Sequence, residues 1–343
     1  MYCSTRVSDV NIMKNNNYLG ALLKFKERNE MHDFEINKNG TIIRYDYQYG
    51  EYFYDSTILD LEKIVPISMC WLIEENCNLD CIYCYSSHKS MNSIDAFYQK
   101  TVDNVLSLNP VSIVLTGGEP TLNKNLISIL QYIDGRIVTI IDSNGTTNVW
   151  ESIIPFMKNA VVRISVDSIN PKILEAVRPA KKMSSYFVLS KITENIDMLV
   201  KNKIPIIVQT VLTSYNIDCL DELFLFLMKH KVPRWYISCV KRPNNDSFSI
   251  DNISASFDSL EKLKEKIIFW NKKGVITTLS QELEEGKEAR LFIEKGGKFY
   301  IDTLRNGKQY IGANPHNPTI EEIVEAIDVN KHYDLYLKRS NLL

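Results

Sequence analysis

From Ile67 onward the chain alternates between two hydrophobic patterns. Short apolar runs rich in Val and Ile read as strands buried on both faces: Ile67–Glu74, Val111–Thr116, Ile137–Asp142, Val161–Asp167, Pro205–Leu212 and Arg234–Val240. Between and after them lie segments of helical spacing, Ser93–Leu108, Asn123–Tyr132, Asn148–Lys158, Ser190–Asn202, Asp218–His230 and Phe257–Asn271. In the first of these, Ile94, Phe97, Val102, Val105 and Leu106 recur at helical intervals behind a Ser93 cap. Hydrophobic strands separated by helices form a parallel sheet, because a parallel pair needs a long crossover. The expected fold is α/β: a partial (β/α)6 barrel with a small β-rich N-terminal segment and a short α+β C-terminal extension. Ligands of such barrels gather at the carboxyl ends of the strands.

The flanks carry a different pattern. Asn39-Gly40 stands between Phe34-Glu-Ile36 and Thr41-Ile-Ile-Arg-Tyr45, a two-residue hairpin signal. Around Gly50 cluster Tyr45, Tyr47, Tyr49, Tyr52, Phe53 and Tyr54. They suit a cap that packs its aromatics onto the main domain, or an exposed edge strand that pairs with an extended peptide. Near the other end, Gly296–Ile301, Asn306–Ile311 and Thr319–Val324 predict a hairpin followed by a helix. The expected domains are residues 1–65, 66–280 and 281–343.

Composition narrows the setting. A chain of 343 residues that is 45% hydrophobic can bury a sizeable core, and a net charge of −2 leaves no electrostatic footprint for duplex nucleic acid. Residues 1–17 are polar and asparagine-rich, unlike a signal peptide, and no apolar run approaches the length of a membrane-spanning helix. Seven cysteines, an odd number, in such a chain point to the reducing cytoplasm.

Three of those cysteines fall within eight residues, Cys77-Asn-Leu-Asp-Cys81-Ile-Tyr-Cys84. Thiols packed this closely suit a metal, because several soft donors converge. A disulfide would leave one cysteine over. A zinc ion could recruit His88 as a fourth ligand. An iron–sulfur cluster with three protein ligands would leave one iron open to another molecule. One strand later comes Thr116-Gly117-Gly118-Glu119-Pro120. Its paired glycines allow close backbone approach to a ligand, and Glu119 supplies a carboxylate for an ammonium group.

Taken together, Cys77, Cys81 and Cys84, with Tyr83 before the last, and Gly117-Gly118-Glu119-Pro120 resemble the radical S-adenosylmethionine (SAM) enzymes. The resemblance covers roughly residues 67–242. It implies that the three thiolates hold a 4Fe–4S cluster whose unique iron binds the amino and carboxylate groups of SAM. One electron then cleaves SAM to methionine and a 5′-deoxyadenosyl radical, which takes a hydrogen atom from a substrate. It further implies that Tyr83 lies against the adenine and that Gly117, Gly118 and Glu119 receive the methionine ammonium. Ser143 and Asn144, in Asp142-Ser-Asn-Gly-Thr146, match a polar turn near SAM. Ser165 and Asp167 match positions near the ribose and carboxylate. Arg178 resembles the arginine that pairs with the SAM carboxylate in peptide-modifying members.

The same resemblance implies a low-potential electron donor such as flavodoxin or ferredoxin. The C-terminal hairpin and helix resemble the SPASM or twitch extensions of peptide-modifying members, but no cysteine follows Cys239, so the expectation is either a version of that extension without an auxiliary cluster or a common hairpin. Cys3, Cys70 and Cys219 read as a terminal residue and two packing residues. Cys239, near the end of the sixth strand, is placed to return a hydrogen atom to a substrate radical, as a cysteine does in certain peptide epimerases of the family. The β-rich segment, Arg178 and the hairpin–helix tail favour a ribosomally made peptide as substrate. A small metabolite or nucleotide is the alternative, and a non-catalytic zinc module is the reading from another class.

Overall fold

The computed structural model describes residues 34–47, 50–55, 61–84, 98–240, 253–280, 290–303 and 307–339. Strands β1 (Phe34–Lys38) and β2 (Thr41–Asp46) pair antiparallel with Lys38 opposite Thr41. Asn39 (φ 50°) and Gly40 (φ 88°) turn the chain between them, the two positive φ values matching the right-handed twist of the strands. β3 (Glu51–Asp55) continues the meander, and the short helix α1 (Leu61–Ile64) leads away from it.

The alternating region follows in the expected order. It comprises β4 (Ser68–Glu74), α2 (Tyr98–Ser107), β5 (Ser112–Gly117), α3 (Leu126–Ile133), β6 (Val138–Ser143), α4 (Trp150–Ile153) and β7 (Ala160–Ser165). Then come α5 (Pro171–Val177), α6 (Ser185–Lys201), β8 (Ile206–Leu212), α7 (Leu220–Lys229), β9 (Arg234–Cys239), α8 (Phe257–Lys272) and β10 (Ile276–Ser280). The C-terminal part supplies β11 (Leu291–Ile293), β12 (Phe299–Thr303), β13 (Gly307–Tyr310), α9 (Ile320–Ala326), α10 (Val329–Tyr336) and β14 (Leu337–Arg339).

Ten strands form one sheet in the order β10-β9-β8-β7-β6-β5-β4-β11-β12-β13. All neighbours from β10 to β11 are parallel, while β12 and β13 fold back antiparallel. The six strands read from sequence are all present. Two short ones, β10 and β11, extend the parallel series at either end, so the C-terminal hairpin continues the barrel sheet directly. The stretch expected as one helix over 148–158 is α4 followed by a 3-10 turn, Ile154–Phe156, because Pro155 lacks an amide donor. The Ser93 cap lies outside the described residues.

Side chains on the two faces of the sheet meet different partners. Met69, Trp71, Ile73, Ile113, Leu115, Ile141, Val162, Ile164 and Val208 pack with helix residues such as Val105, Leu130, Trp150, Ile192 and Leu223. The opposite, inner face is closed at its amino end by the N-terminal sheet. There Ile43, Tyr45, Tyr52 and Tyr54 pack with Val114, Val138, Ile140, Val161 and Ile207. The structure therefore shows the tyrosine-rich segment as a cap, and β14 joins it in parallel beside β3.

Buried polar contacts fix the cap. Tyr52 Oη lies 2.5 Å from Ser112 Oγ, and Arg234 Nη2 donates to Glu51 Oε1 at 2.9 Å. His332 Nε2 accepts the Ile67 amide at 3.0 Å. Lys38, only 4% exposed, donates to the carbonyls of Pro66 (2.8 Å) and Asn109 (2.6 Å). Burial lowers the Lys38 pKa to about 7. Between pH 7 and the ordinary lysine range the unfolded chain thus holds a proton that the folded chain does not, and stability rises with pH through that window. Lys38→Met should lose this slope, at most about 1.4 kcal/mol per pH unit. Urea melts of both proteins between pH 7 and 10 measure it; parallel curves would mean that Lys38 titrates normally.

Candidate active site

The cysteine loop leaves β4 through a turn held by Glu74, whose Oε1 accepts the amides of Glu75 and Asn76, both at 2.9 Å. The carboxyl end of β5 lies directly against this turn. Gly118 N donates to Glu74 O at 2.7 Å and Glu119 N to Asn76 O at 2.8 Å. A Cβ at Gly117 (φ 140°) would stand 1.9 Å from Glu74 O, and one at Gly118 would stand 2.3 Å from Asn76 O. The paired glycines admit the backbone that feeds the cysteine loop.

On its other side the loop runs along residues 177–181. Ile82 N donates to Val177 O (3.0 Å), Asp80 N to Pro179 O (2.8 Å) and Lys181 N to Asn78 O (3.1 Å), with Leu79 and Ala180 in an antiparallel bridge. Lys181 Nζ caps the ladder at Cys77 O, 2.8 Å away. The sequence reading missed this brace. Its only outward sign is Pro179, which follows α5 and holds the chain extended.

Cys77, Cys81 and Cys84 form no disulfide and lie within electrostatic reach of one another. Burial pushes the Cys77 thiol up and the Cys81 thiol up to about 11, with Arg178 opposing at Cys81. Among the described residues no three His, Cys, Asp or Glu side chains converge tightly enough to hold one ion. Three soft thiol donors on one loop fit an iron–sulfur cluster with three protein ligands. His88 lies outside the described residues.

Beside the thiols, Glu119 is fully buried. Its Oε1 accepts from Thr121 N (3.1 Å), Thr121 Oγ1 and Ser143 Oγ (2.8 Å), and its Oε2 from Asn144 N (2.7 Å). Burial raises its pKa, and these donors oppose the rise. Oε2, with one donor, keeps acceptor capacity that Oε1 has spent. Asn144 Nδ2 donates to Asn78 Oδ1 at 2.7 Å and reaches Cys77 Sγ at 3.7 Å, while Asn78 Nδ2 donates to Thr146 Oγ1 at 2.7 Å. Ser143 and Asn144 therefore tie the end of β6 to both the carboxylate and the cysteine loop. Asn78, Thr121 and Thr146, which complete this network, were not singled out from sequence, although Asn78 stands inside the cysteine motif.

Asp167, Tyr83, Ser165 and Arg178 form a second group. Tyr83 Oη donates to Asp167 Oδ2, and Val211 N donates to Asp167 Oδ1 at 2.8 Å. Burial raises the Asp167 carboxyl, against the lowering effect of Arg178. Arg178 follows the last residue of α5; Nη1 donates to the Ser165 carbonyl and Nε lies 3.7 Å from Asp167 Oδ2. Only 2% of Arg178 is exposed.

Cys239 falls elsewhere. It alternates with Trp235 and Ile237, pairs across to Leu212 and packs against the helix-side core. The expectation that it faces the chamber is corrected: the period-two alternation of β9 turns its neighbour Ser238 inward instead. The inner face grows accessible toward the carboxyl ends. Ser112, Val138, Val161 and Ile207 are buried, whereas Thr116, Ser165, Gln209, Tyr236 and Ser238 are half-buried. Midway, Arg163 Nη2 donates to Asp142 Oδ2 at 2.6 Å in a two-point pair, each side chain 25% exposed. Sequence reading placed both residues at strand ends without noticing that they face each other across β6 and β7.

Reconstituted anaerobically with iron and sulfide, the chain should bind about four irons. Replacing Cys77, Cys81 and Cys84 together by Ala should leave essentially none. Iron and sulfide analysis decides; a cluster retained in the triple variant would require ligands outside the loop.

The profile of the radical SAM superfamily matches residues 72–227. An S-adenosylmethionine-dependent nucleotide dehydratase of Selenomonas ruminantium is 27% identical over 185 residues, 52% of this chain and 67% of that protein. The antilisterial bacteriocin subtilosin biosynthesis protein AlbA of Bacillus subtilis is 27% identical over 124 residues, 34% of this chain and 28% of that one. Among solved structures, Streptococcus suis SuiB bound to its precursor peptide SuiA shares the fold with a TM-score of 0.61 at 14% identity, over 78% of this chain and 66% of SuiB. For the first curated relatives matched, the shared stretch spans about half to two thirds of their length (56%, 67% and 46%). The thiol loop, the buried carboxylate beside it and the parallel barrel thus coincide with the matched region: residues 72–227 match the radical SAM superfamily, whose members use a 4Fe–4S cluster and SAM.

Proposed function

We propose that this enzyme cleaves SAM reductively and takes a hydrogen atom from a compact polar substrate, a small metabolite or nucleotide, bound against the inner face of the barrel. When bound, the cluster and SAM supply the radical, so the chain's own task is to orient the reactants and exclude water. Cys77, Cys81 and Cys84 would hold the cluster. Glu119 Oε2 would take the methionine ammonium, with Ser143 and Asn144 fixing the carboxylate, and Tyr83 and Ser165 would border the remainder of SAM. A low-potential donor, flavodoxin or ferredoxin, would deliver the electron. No helix among the described residues is long and apolar enough to cross a membrane.

The observation that carries the substrate class is the closed amino end of the chamber. The N-terminal sheet fills it with tyrosines, leaving a polar inner wall that carries the Arg163–Asp142 pair. The three features that favoured a peptide have structural employment here. The tyrosine segment is the floor, Arg178 is enclosed, and the C-terminal hairpin continues the sheet. A peptide offering one side chain through the open end is the second reading, favoured by the sequence relation to the subtilosin biosynthesis protein.

Cells grown in deuterated medium supply the test. Their extract, split by ultrafiltration into small-molecule and polypeptide fractions, is incubated anaerobically with enzyme, SAM and dithionite. Deuterium should enter 5′-deoxyadenosine, read by mass spectrometry, from the small-molecule fraction. Transfer from the polypeptide fraction alone would replace this reading by the second. Arg163→Met should lower the transfer at least roughly tenfold, the equivalent of losing about 1.4 kcal/mol of a charge-assisted contact.

Glu119→Gln sets an amide nitrogen among four donors and removes the charge. SAM affinity of the loaded enzyme should fall at least roughly tenfold, and the apoprotein should lose about 1–3 kcal/mol of stability. Equilibrium dialysis and urea melts measure the two effects separately. Unchanged SAM affinity with lowered stability would make Glu119 a purely structural acceptor.

A further inference from the structure

The segment that braces the cysteine loop runs on into an exposed patch. Lys181 gives Nζ to the Cys77 carbonyl and stands 3.3 Å from Asp80, and Lys182 beside it is exposed. Ser184 then caps α6, its Oγ accepting the Phe187 amide at 3.3 Å. Val188, Ile192 and Ile196 of that helix enter the helix-side core, which turns Tyr186 and Phe187 of its first turn away from the barrel. Tyr186 is 71% exposed and Phe187 47%. Lys191 Nζ stands 5.6 Å from the centre of the Phe187 ring. Asp80 and Glu194 pair with Lys181 and Lys191, so Lys182 carries the unspent charge. Two adjacent aromatic rings left in water among lysines have the make-up of an interface: apolar anchors with a charged rim.

We propose that this patch, residues 181–187 with Lys191, is the docking surface for a small acidic protein that carries one electron. The inference rests on the reductive cleavage of SAM proposed above and is independent of the substrate class. The open end of the barrel has to admit SAM and substrate, so a carrier needs its own approach to the cysteine loop. The patch offers one. Lys181 N donates to Asn78 O, Asp80 N to Pro179 O, and Lys181 Nζ to Cys77 O. A protein seated on Tyr186 and Phe187 therefore stands one ladder of hydrogen bonds from the thiols without entering the chamber. One electron passes from carrier to cluster, and no atom is transferred. A few aromatic anchors suit the small, transient contacts of electron-transfer partners, and the lysines favour an acidic face.

The test compares the reconstituted wild type with the double variant Tyr186→Ser/Phe187→Ser and with Lys182→Glu. Titration calorimetry with a flavodoxin and with a ferredoxin reads affinity. Formation of 5′-deoxyadenosine at limiting pre-reduced carrier reads electron delivery. Both should fall at least roughly tenfold in the double variant, whereas dithionite, which needs no docking surface, should drive SAM cleavage as in the wild type. Lys182→Glu should weaken the carrier and flatten the salt dependence of its binding. Equal loss with carrier and with dithionite would make the patch a support of the loop and overturn the proposal. So would unchanged carrier affinity in the double variant, or a wild type that dithionite reduces and neither carrier does. A wild-type dimer that the double variant dissolves, seen by sedimentation, would give the patch to a second copy of the chain instead. Failure of dithionite to yield SAM cleavage in the wild type would overturn the reductive reading itself, and this inference with it.

Discussion

The structure depends on how a loop bearing three thiols is held in place. The chain does this with backbone hydrogen bonds on two sides. The glycine end of β5 grips the start of the loop, and the extended segment after α5 forms a short antiparallel ladder with its middle. Buried backbone groups must find partners, so both contacts are obligatory parts of the fold rather than decoration. They also draw β4, β5 and the connection after β7 to one point. The carboxylate and guanidinium of this site arrive through that convergence.

A second consequence is electrostatic. Glu119, Asp167 and Arg178 are all buried beside the thiols; the two carboxylates accept from fixed donors of the barrel, and Arg178 donates to the Ser165 carbonyl. Buried charges persist only where such partners exist. The arrangement gives a rigid polar setting with little need to reorganise during the reaction, the condition under which fixed dipoles act most strongly. The inner face then grades from apolar and sealed beneath the tyrosine cap to polar and accessible at the open end. That gradient is produced by two chain segments far apart in sequence, β1–β3 and α10–β14, which meet below the barrel.

The motifs and the strand–helix rhythm were legible because they are local. Apolar runs identify parallel strands wherever burial is two-sided, and the cysteine spacing is a property of eight consecutive residues. Asn39-Gly40 named its turn because both positions require positive φ. The same local reading picked out the cysteine triplet, the glycine–glutamate turn and the polar strand ends, each of which lies at the carboxyl side of the sheet.

What the sequence could not contain was orientation and partnership. Cys239 was expected at the chamber because it ends a strand, but strand alternation is fixed by which neighbours already face the core, and Trp235 and Ile237 turn it outward. That the glycines at the end of β5 also pack against the turn feeding the cysteine loop, and that Arg178 donates to the Ser165 carbonyl, was set by tertiary contacts. Five-residue β10 and three-residue β11 were invisible, since strands that short are made by pairing with an existing edge. The sequence by itself determined the strand–helix alternation and the chemistry of the thiol loop. Only the tertiary structure decided which polar groups face one another, because that depends on register and on contacts between segments as distant as Ile67 and His332.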